Sequence, residues 1–418
     1  MSFSIGQSKI SGIIKARPSK SVEQRVLAAC LLSRGVCSIG NSGESDDIIH
    51  AREIVSSLGA LIFKEGKYLN ITPKSSDNNN ILDCGESAMN ARFYTPIACL
   101  FKSHFTVSGK GSLLKRPVAV DFYILKQMGM QVEGENDFLP QIISNANLIA
   151  VTYNIDGSKS SQFISGLMMA LPVLSADSEL IVHNPVSIPY LELTKSIMEQ
   201  FGVKCAFEFD SYNSLTIKIP GNQIYTPIDY KIEGDWSGSV NFMIAGALGG
   251  EVTVKGLNKS SKQADKAILD LFDLCGIEYK WNDNDISVIK SEIRAFRFDA
   301  THCPDLIPIL IVLACFAESD CEIIGAKRLL YKESSRAQAM KTELEKANSI
   351  IIIEGNTIKV SPQKFYCSAD FDSHNDHRIA MALSVFSLII GNCKVIDIDC
   401  VNKSWPGFLD DLKEIEKK

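Results

Sequence analysis

A chain of 418 residues is longer than one hydrophobic core ordinarily grows, so two or three domains are expected. Apolar residues make up 45% and charged residues 22%, an ordinary globular composition that excludes a disordered or low-complexity chain. The formal charge of −6, with Lys and Arg arriving as singles and pairs rather than as a stripe, excludes a nucleic-acid wrapper and suits a local pocket for small anions.

The N-terminus, MSFSIGQSKI, has no apolar h-region, so no signal peptide is expected. The longest apolar run, from Leu306 to Ala317, is too short to span a bilayer. Twelve cysteines show no C-x-x-C spacing and no zinc-type cluster, and several, such as Cys30, Cys99 and Cys315, sit inside apolar runs as core residues do. A cytoplasmic, reducing setting, with no membrane and no metal, is the expectation.

Six segments share one plan: a short polar or Gly/Pro-rich turn, then an Ala-rich apolar run with helical spacing. In chain order they are PSKSVEQRVLAACLL from Pro18, CGESAMNARFYTPIACL from Cys84, DGSKSSQFISGLMMAL from Asp156, EGDWSGSVNFMIAGAL from Glu233, HCPDLIPILIVLACFA from His302 and DSHNDHRIAMALSVF from Asp372. Their starts lie roughly 65 to 80 residues apart, room for about four strands and two helices each. Strand signals fill the gaps: KYLNITP, NSLTIKIP, EVTVKGL, and the hairpin SIIIIEGNTIKVSP with its turn at Gly355 and Asn356. A helix apolar nearly all round is buried rather than amphipathic, so six buried helices with polar entries are predicted. Their N-termini, which favour phosphates and carboxylates, either converge on shared ground or point in unrelated directions; periodicity leaves both open.

Several entries carry chemistry. Ser19 and Ser21 are placed to cap the first helix, while Lys20 presents an ammonium at its start and Arg25 follows on a similar face. The DGSKSSQF turn sets the hydroxyls of Ser158, Ser160 and Ser161 beside the amide of Gln162, neutral donors that bind phosphate without a metal. Ser187 and Tyr190 follow in SIPY, and Arg116 precedes a rigidifying proline. Asp305 opens the fifth apolar run, where an isolated carboxylate would be costly, so a cationic partner or a substrate contact is expected. Glu333 lies between Lys332 and Arg336, whose charges favour its ionised form. Arg116, Arg336 and Arg378 offer planar forks for a carboxylate or a phosphate, with His377 and Lys403 as further cationic candidates.

PSKS with Arg25, DGSKSSQF, SIPY, the PD before an apolar run, KESSR, NDHR and NKSWP stand in the order and spacing of the 5-enolpyruvylshikimate-3-phosphate synthases, and the chain resembles that family from about Pro18 to Pro406. The resemblance implies an α/β (α+β) fold of the inside-out α/β barrel type: two similar domains, each of three βαβαββ units with buried parallel helices. It places the first domain at 19–231, the second at 1–18 with 232–418, and the active site in the cleft between them. It implies that Lys20, Ser21, Arg25, Ser160, Ser161, Gln162, Ser187, Tyr190, Asp305 and Lys332 hold shikimate 3-phosphate. Lys20, Ala88, Arg116, Gln162, Arg336, His377, Arg378 and Lys403 would hold phosphoenolpyruvate.

The implied reaction is addition followed by elimination, without cofactor or metal: the 5-hydroxyl attacks phosphoenolpyruvate as its methylene is protonated, and phosphate then leaves. Asp305 or Lys20 would take the hydroxyl proton and Glu333 would serve the methylene carbon. A monomer is expected, and shikimate 3-phosphate is expected to compact it.

The second segment departs from the family pattern: Ala88 stands for a glycine, Met89 for a threonine, and Glu86 for an amide, while Arg92 is kept. A methyl at Ala88 is expected to narrow the phosphoenolpyruvate pocket. One alternative is the related UDP-N-acetylglucosamine enolpyruvyl transferase, which carries a cysteine or an aspartate in the loop before the Arg-Pro pair; the loop SGKGSLLKRP has neither. The other is a non-catalytic anion-binding homologue, disfavoured by the retention of Lys20, Asp305, Glu333, Arg336 and His377.

Overall fold

The six apolar runs become six helices buried along almost their whole length: Lys20–Leu32, Ala88–Ala98, Gln162–Ala170, Trp236–Gly249, Ile307–Cys315 and His377–Ile390. In this computed structural model the described residues are 2–5, 9–73, 79–211, 213–330 and 332–417. They form two compact units, one of residues 18–232 and one of residues 1–17 with 233–418. The chain therefore passes between units after Arg17 and again after Ile232.

One sheet plan recurs. Strands Thr152–Asp156 and Ser178–His183 run parallel, with the helix Gln162–Ala170 between them in sequence, and the hairpin Ala206–Phe209 and Leu215–Ile219 adds two antiparallel strands in the order first, second, fourth, third. Strands Ile81–Asp83, His104–Ser108, Gln131–Gly134 and Gln141–Ser144 repeat that order, as do Arg297–Asp299, Cys321–Ile324, Ile350–Glu354 and Thr357–Ser361. Two sheets take their first strand from across a crossover. Asp229–Lys231 lies parallel to Cys37–Gly40 in the 18–232 unit, and Lys9–Lys15 lies parallel to Gly250–Lys255 in the split unit. The alternating burial of strands such as Thr152–Asp156, Ser178–His183 and Leu215–Ile219 follows from covering one face of a sheet with a helix layer.

The sixth repeat closes differently from the other five. After the parallel pair Asp370–Asp372 and Cys393–Ile396, the N-terminal strand Ser2–Ile5 takes the antiparallel edge, and the helix Phe408–Ile415 follows instead of a hairpin.

Within the 18–232 unit the helices Ala88–Ala98 and Gln162–Ala170 pack directly on each other. Gly166 makes this possible: a Cβ there would lie 2.2 Å from the Phe93 carbonyl oxygen and 2.6 Å from Pro96. In the split unit the helices Trp236–Gly249, Ile307–Cys315 and His377–Ile390 all touch one another. Polar entries thus sit on apolar posts that fix their positions, since interiors of this density do not yield to small displacements. Among the described residues no helix is long and apolar enough to cross a membrane.

Candidate active site

Lys20 is the first residue of its helix, where the helix dipole disfavours a cation, and its Nζ donates to Asp47 Oδ2 at 2.7 Å. Ser19 occupies the N-cap position, but its side chain makes no capping bond, contrary to the expectation. The Asp47 carbonyl accepts from Asn90 at 2.9 Å, and Asn90 accepts from Gln24 at 2.7 Å, so the starts of the first and second buried helices are tied together. Ala88, buried, is the first residue of the second helix, and Ser87 caps that helix by accepting from the Asn90 N–H at 3.3 Å.

Arg25 is buried between aromatic faces, its guanidinium carbon 5.7 Å from the Phe93 centroid and 5.9 Å from that of Tyr190. Its donors reach the Thr194 hydroxyl at 2.8 Å, the Ser21 carbonyl at 2.7 Å and the Tyr190 carbonyl at 3.3 Å. Burial pulls its pKa down to about 10, so it stays charged at neutral pH. Arg25 therefore fixes Ser21 and Tyr190, whatever else it binds.

Ser160 accepts from the Gln162 N–H at 3.1 Å at the start of the third helix, with Ser161 buried beside it. Ser158 donates instead to Asp156 at 2.9 Å. Gln162 accepts from Arg92 at 3.3 Å, and Arg92 also donates to the carbonyls of Pro117 at 3.3 Å and Val118 at 3.2 Å and pairs with Asp121 at 3.1 Å. The segment after Arg116, itself buried, is thereby fastened to the third helix. Ser187, buried, holds a left-handed conformation at φ 55° and starts the helix Ile188–Gln200 that carries Tyr190.

In the split unit one arginine organises three acids. Arg336, 1% exposed, donates from Nε to Asp376 at 2.7 Å, from Nη1 to Asp305 at 2.7 Å and from Nη2 to Glu333. Asp305 also accepts from Lys332 at 3.1 Å and lies 3.7 Å from Arg378. Burial alone would raise the Asp305 pKa, but Lys332, Arg336 and Arg378 overcome it and hold the carboxyl well below its usual range. Burial lowers the pKa of Lys332, with Asp305 opposing. Burial works against charge on Arg336 too, but Asp376, Glu333 and Asp305 outweigh it and raise its pKa. Arg378 rises likewise against burial, through Asp305, Asp235 and Asp265. Its Nε and Nη1 are buried with no hydrogen-bond partner among the described residues, donors suited to an anion. Asp376 caps the sixth helix by accepting from the Arg378 N–H at 2.9 Å. His377, 2% exposed, is that helix's first residue, and Lys403 donates to the nearby Asn375 carbonyl at 2.8 Å.

Asp47, Asp265 and Asp376 were not among the residues expected to face the cations. Asp376 had a local signal, an Asp just before an apolar helix run, which marks an N-cap. Asp47 and Asp265 reach their partners only through tertiary structure. Among the described residues no group of three His, Cys, Asp or Glu stands as a metal site.

Asp265, fully buried, accepts from Ser237, and its other oxygen has no hydrogen-bond partner among the described residues. Burial, then the charge of Asp305, push its pKa up to about 7, with Arg378 opposing. A raised carboxyl pKa gives stability that is present below the unfolded value near 4 and lost as pH rises through the folded value. Asp265→Asn is therefore expected to match the parent's melting temperature near pH 4 and to exceed it by about 2 to 4 °C at pH 8. Calorimetry across that range checks this; equal melting temperatures at pH 8 would show that the ionised carboxylate is well accommodated.

Comparisons with known proteins fall on this framework. The family model for EPSP synthase (3-phosphoshikimate 1-carboxyvinyltransferase) matches residues 5–412. A 3-phosphoshikimate 1-carboxyvinyltransferase of Clostridium perfringens is 35% identical over 420 residues, covering 98% of this chain and 97% of its own. That of Clostridium beijerinckii is 35% identical over 422 residues, covering 97% and 95%. Among solved structures, an EPSP synthase from Acinetobacter baumannii superposes with a TM-score of 0.81 at 20% identity, covering 99% of this chain and 98% of that one. The enolpyruvyl transferase NikO from Streptomyces tendae gives 0.78 at 15%, covering 99% and 96%. At such identities the two structures attest the fold alone.

Proposed function

The chain belongs to the EPSP synthase (3-phosphoshikimate 1-carboxyvinyltransferase) family, and from that premise we propose how its residues divide the work. It transfers the enolpyruvyl group of phosphoenolpyruvate to the 5-hydroxyl of shikimate 3-phosphate and releases phosphate. The observation that carries the residue assignment is the network in which Arg336 joins Asp305, Glu333 and Asp376, with Lys332 on Asp305. It sets an ionised base beside cations that stabilise an anionic substrate.

Asp305, ionised and next to Lys332, accepts the proton of the attacking hydroxyl. Glu333, protonated before the attack, delivers that proton to the methylene carbon of phosphoenolpyruvate, giving a tetrahedral adduct with a methyl group, and takes one back as phosphate departs. Lys20 is the other candidate for the hydroxyl proton. Arg336, Arg378, His377, Lys403, Arg116, Gln162 and Lys20 hold phosphoenolpyruvate and neutralise the leaving phosphate. Ser160, Ser161, Ser187 and Gln162 receive the 3-phosphate, Arg25 fixes Ser21 and Tyr190 against the ring, and Asp305 and Lys332 contact its hydroxyls. Most of the residues assigned to shikimate 3-phosphate belong to residues 18–232, and most of those assigned to phosphoenolpyruvate belong to the split unit.

Phosphorus NMR of the protein with both substrates should show their one-to-one conversion into a new phosphorylated enol ether and inorganic phosphate. Unchanged substrate signals at high protein concentration would overturn the reading.

Ala88 supports one further expectation. Its methyl, buried at the start of the second helix, stands where the family pattern has none. Glyphosate, longer than phosphoenolpyruvate, is therefore expected to inhibit weakly, with Ala88→Gly lowering its inhibition constant by about tenfold, the effect of relieving one overpacked methyl. An inhibition constant unchanged by that substitution would dismiss the steric account.

A further inference from the structure

Glu86 stands where the family pattern has an amide, and its carboxylate turns toward a neighbouring loop. It accepts from the Ser112 N–H at 3.0 Å and from the Ser112 hydroxyl at 2.7 Å. One residue before it, the Gly85 carbonyl accepts from the Lys110 N–H at 2.8 Å. The short 3₁₀ turn Gly111–Lys115 begins at this junction and leads straight into Arg116, whose N–H bonds the Leu113 carbonyl at 3.2 Å. An acidic group on the first N–H donors of such a turn is the favourable polarity.

Gly111 makes room for the carboxylate. It adopts φ +56°, and a Cβ there would lie 2.5 Å from the Glu86 carboxyl carbon. The far side of Arg116 is held from the same stretch of chain, by Arg92 on the carbonyls of Pro117 and Val118. Arg116 is therefore bracketed by two clamps, both borne by residues 85–92.

We propose that Glu86 is a positioning residue, whose carboxylate sets the Arg116 loop so that the guanidinium meets phosphoenolpyruvate. This rests on the assignment of Arg116 to that substrate. A carboxylate near an anion site would repel the anion if it stood open; with both Ser112 donors on it, its charge serves the loop. A fork grips an oxyanion only when aligned, so a loosened loop weakens phosphoenolpyruvate binding and leaves shikimate 3-phosphate binding alone.

Steady-state kinetics of the full chain with each substrate varied in turn, alongside melting temperatures, test this. Glu86→Ala is expected to raise KM for phosphoenolpyruvate about tenfold or more, the scale of losing two charge-assisted bonds, while KM for shikimate 3-phosphate stays within about twofold. Glu86→Gln, which keeps an acceptor for Ser112, should recover most of the loss, and Gly111→Ala should reproduce it. Ser112→Ala should add nothing once Glu86 is Ala, because both act through one contact. Arg116→Ala is measured in parallel. If it leaves KM for phosphoenolpyruvate unchanged, the Arg116 assignment fails and the proposal with it. If it raises that KM while Glu86→Ala does not, the proposal alone is overturned. An equal rise in both KM values with a lowered melting temperature would make Glu86 merely structural, and would overturn it too.

Discussion

Arg336→Lys is expected to cut kcat/KM by about 10³-fold and to lower stability by about 3 kcal/mol, although it preserves the charge. The reason is geometric. The guanidinium sends Nε, Nη1 and Nη2 to three different carboxylates, those of Asp376, Asp305 and Glu333. That takes up three of its five N–H groups and leaves two for an anion. A lysine ammonium ends in one nitrogen and cannot serve three acids approaching from different sides while also taking the phosphoenolpyruvate contact proposed for Arg336. Asp376 has 0% exposure, so losing Arg336 leaves a buried charge undercompensated, the situation in which breaking a pair is strongly destabilising. Calorimetry and steady-state kinetics on the same preparation check both halves. A variant with parent-like melting and kcat/KM within about threefold would show that the network does not depend on the fork.

The second large effect concerns the proton handlers. Asp305→Asn and Glu333→Gln are each expected to lower kcat by about 10² to 10⁴-fold, the range for removing a general acid or base. The two should differ in deuterium oxide. Because the adduct carries a methyl group, reversal or elimination returns solvent deuterium to the vinyl carbon. If Glu333 is the carbon acid, as proposed, Glu333→Gln should suppress that exchange along with turnover. Asp305→Asn instead impairs the hydroxyl's attack. If Glu333→Gln exchanged deuterium at the parent rate, another group would be the carbon acid.

Much of this was legible in the sequence because its signals are local. A helix with no polar face has to be buried, and all six apolar runs are. The turn residues that open them, from Lys20 to Asp376, stand within a few positions of where the helices start. The strand signals held for the same reason: KYLNITP contains the strand Tyr68–Pro73, and NSLTIKIP contains Leu215–Ile219.

What local pattern does not encode is the choice of partner. Lys20 looked like an open ammonium, yet Asp47 from the next helix holds it at 2.7 Å. Arg25 is expected on the substrate, and the pattern gave no sign that Thr194, from far along the chain, accepts its Nε. Glu86 had no interpretable role until Ser112 was seen against it. The pairing of Lys9–Lys15 with Gly250–Lys255 and of Asp229–Lys231 with Cys37–Gly40 is likewise invisible to periodicity, which carries no information about the partner strand. The sixth repeat, closed by Ser2–Ile5, shows the same limit.

The identity of the acceptor separates this activity from that of the related sugar-nucleotide transferase. The direct measurement is inorganic phosphate released from phosphoenolpyruvate, followed with shikimate 3-phosphate and, separately, with UDP-N-acetylglucosamine. Rapid release with the first and none above background with the second is predicted. Release with the sugar nucleotide instead, or with neither acceptor, would contradict it.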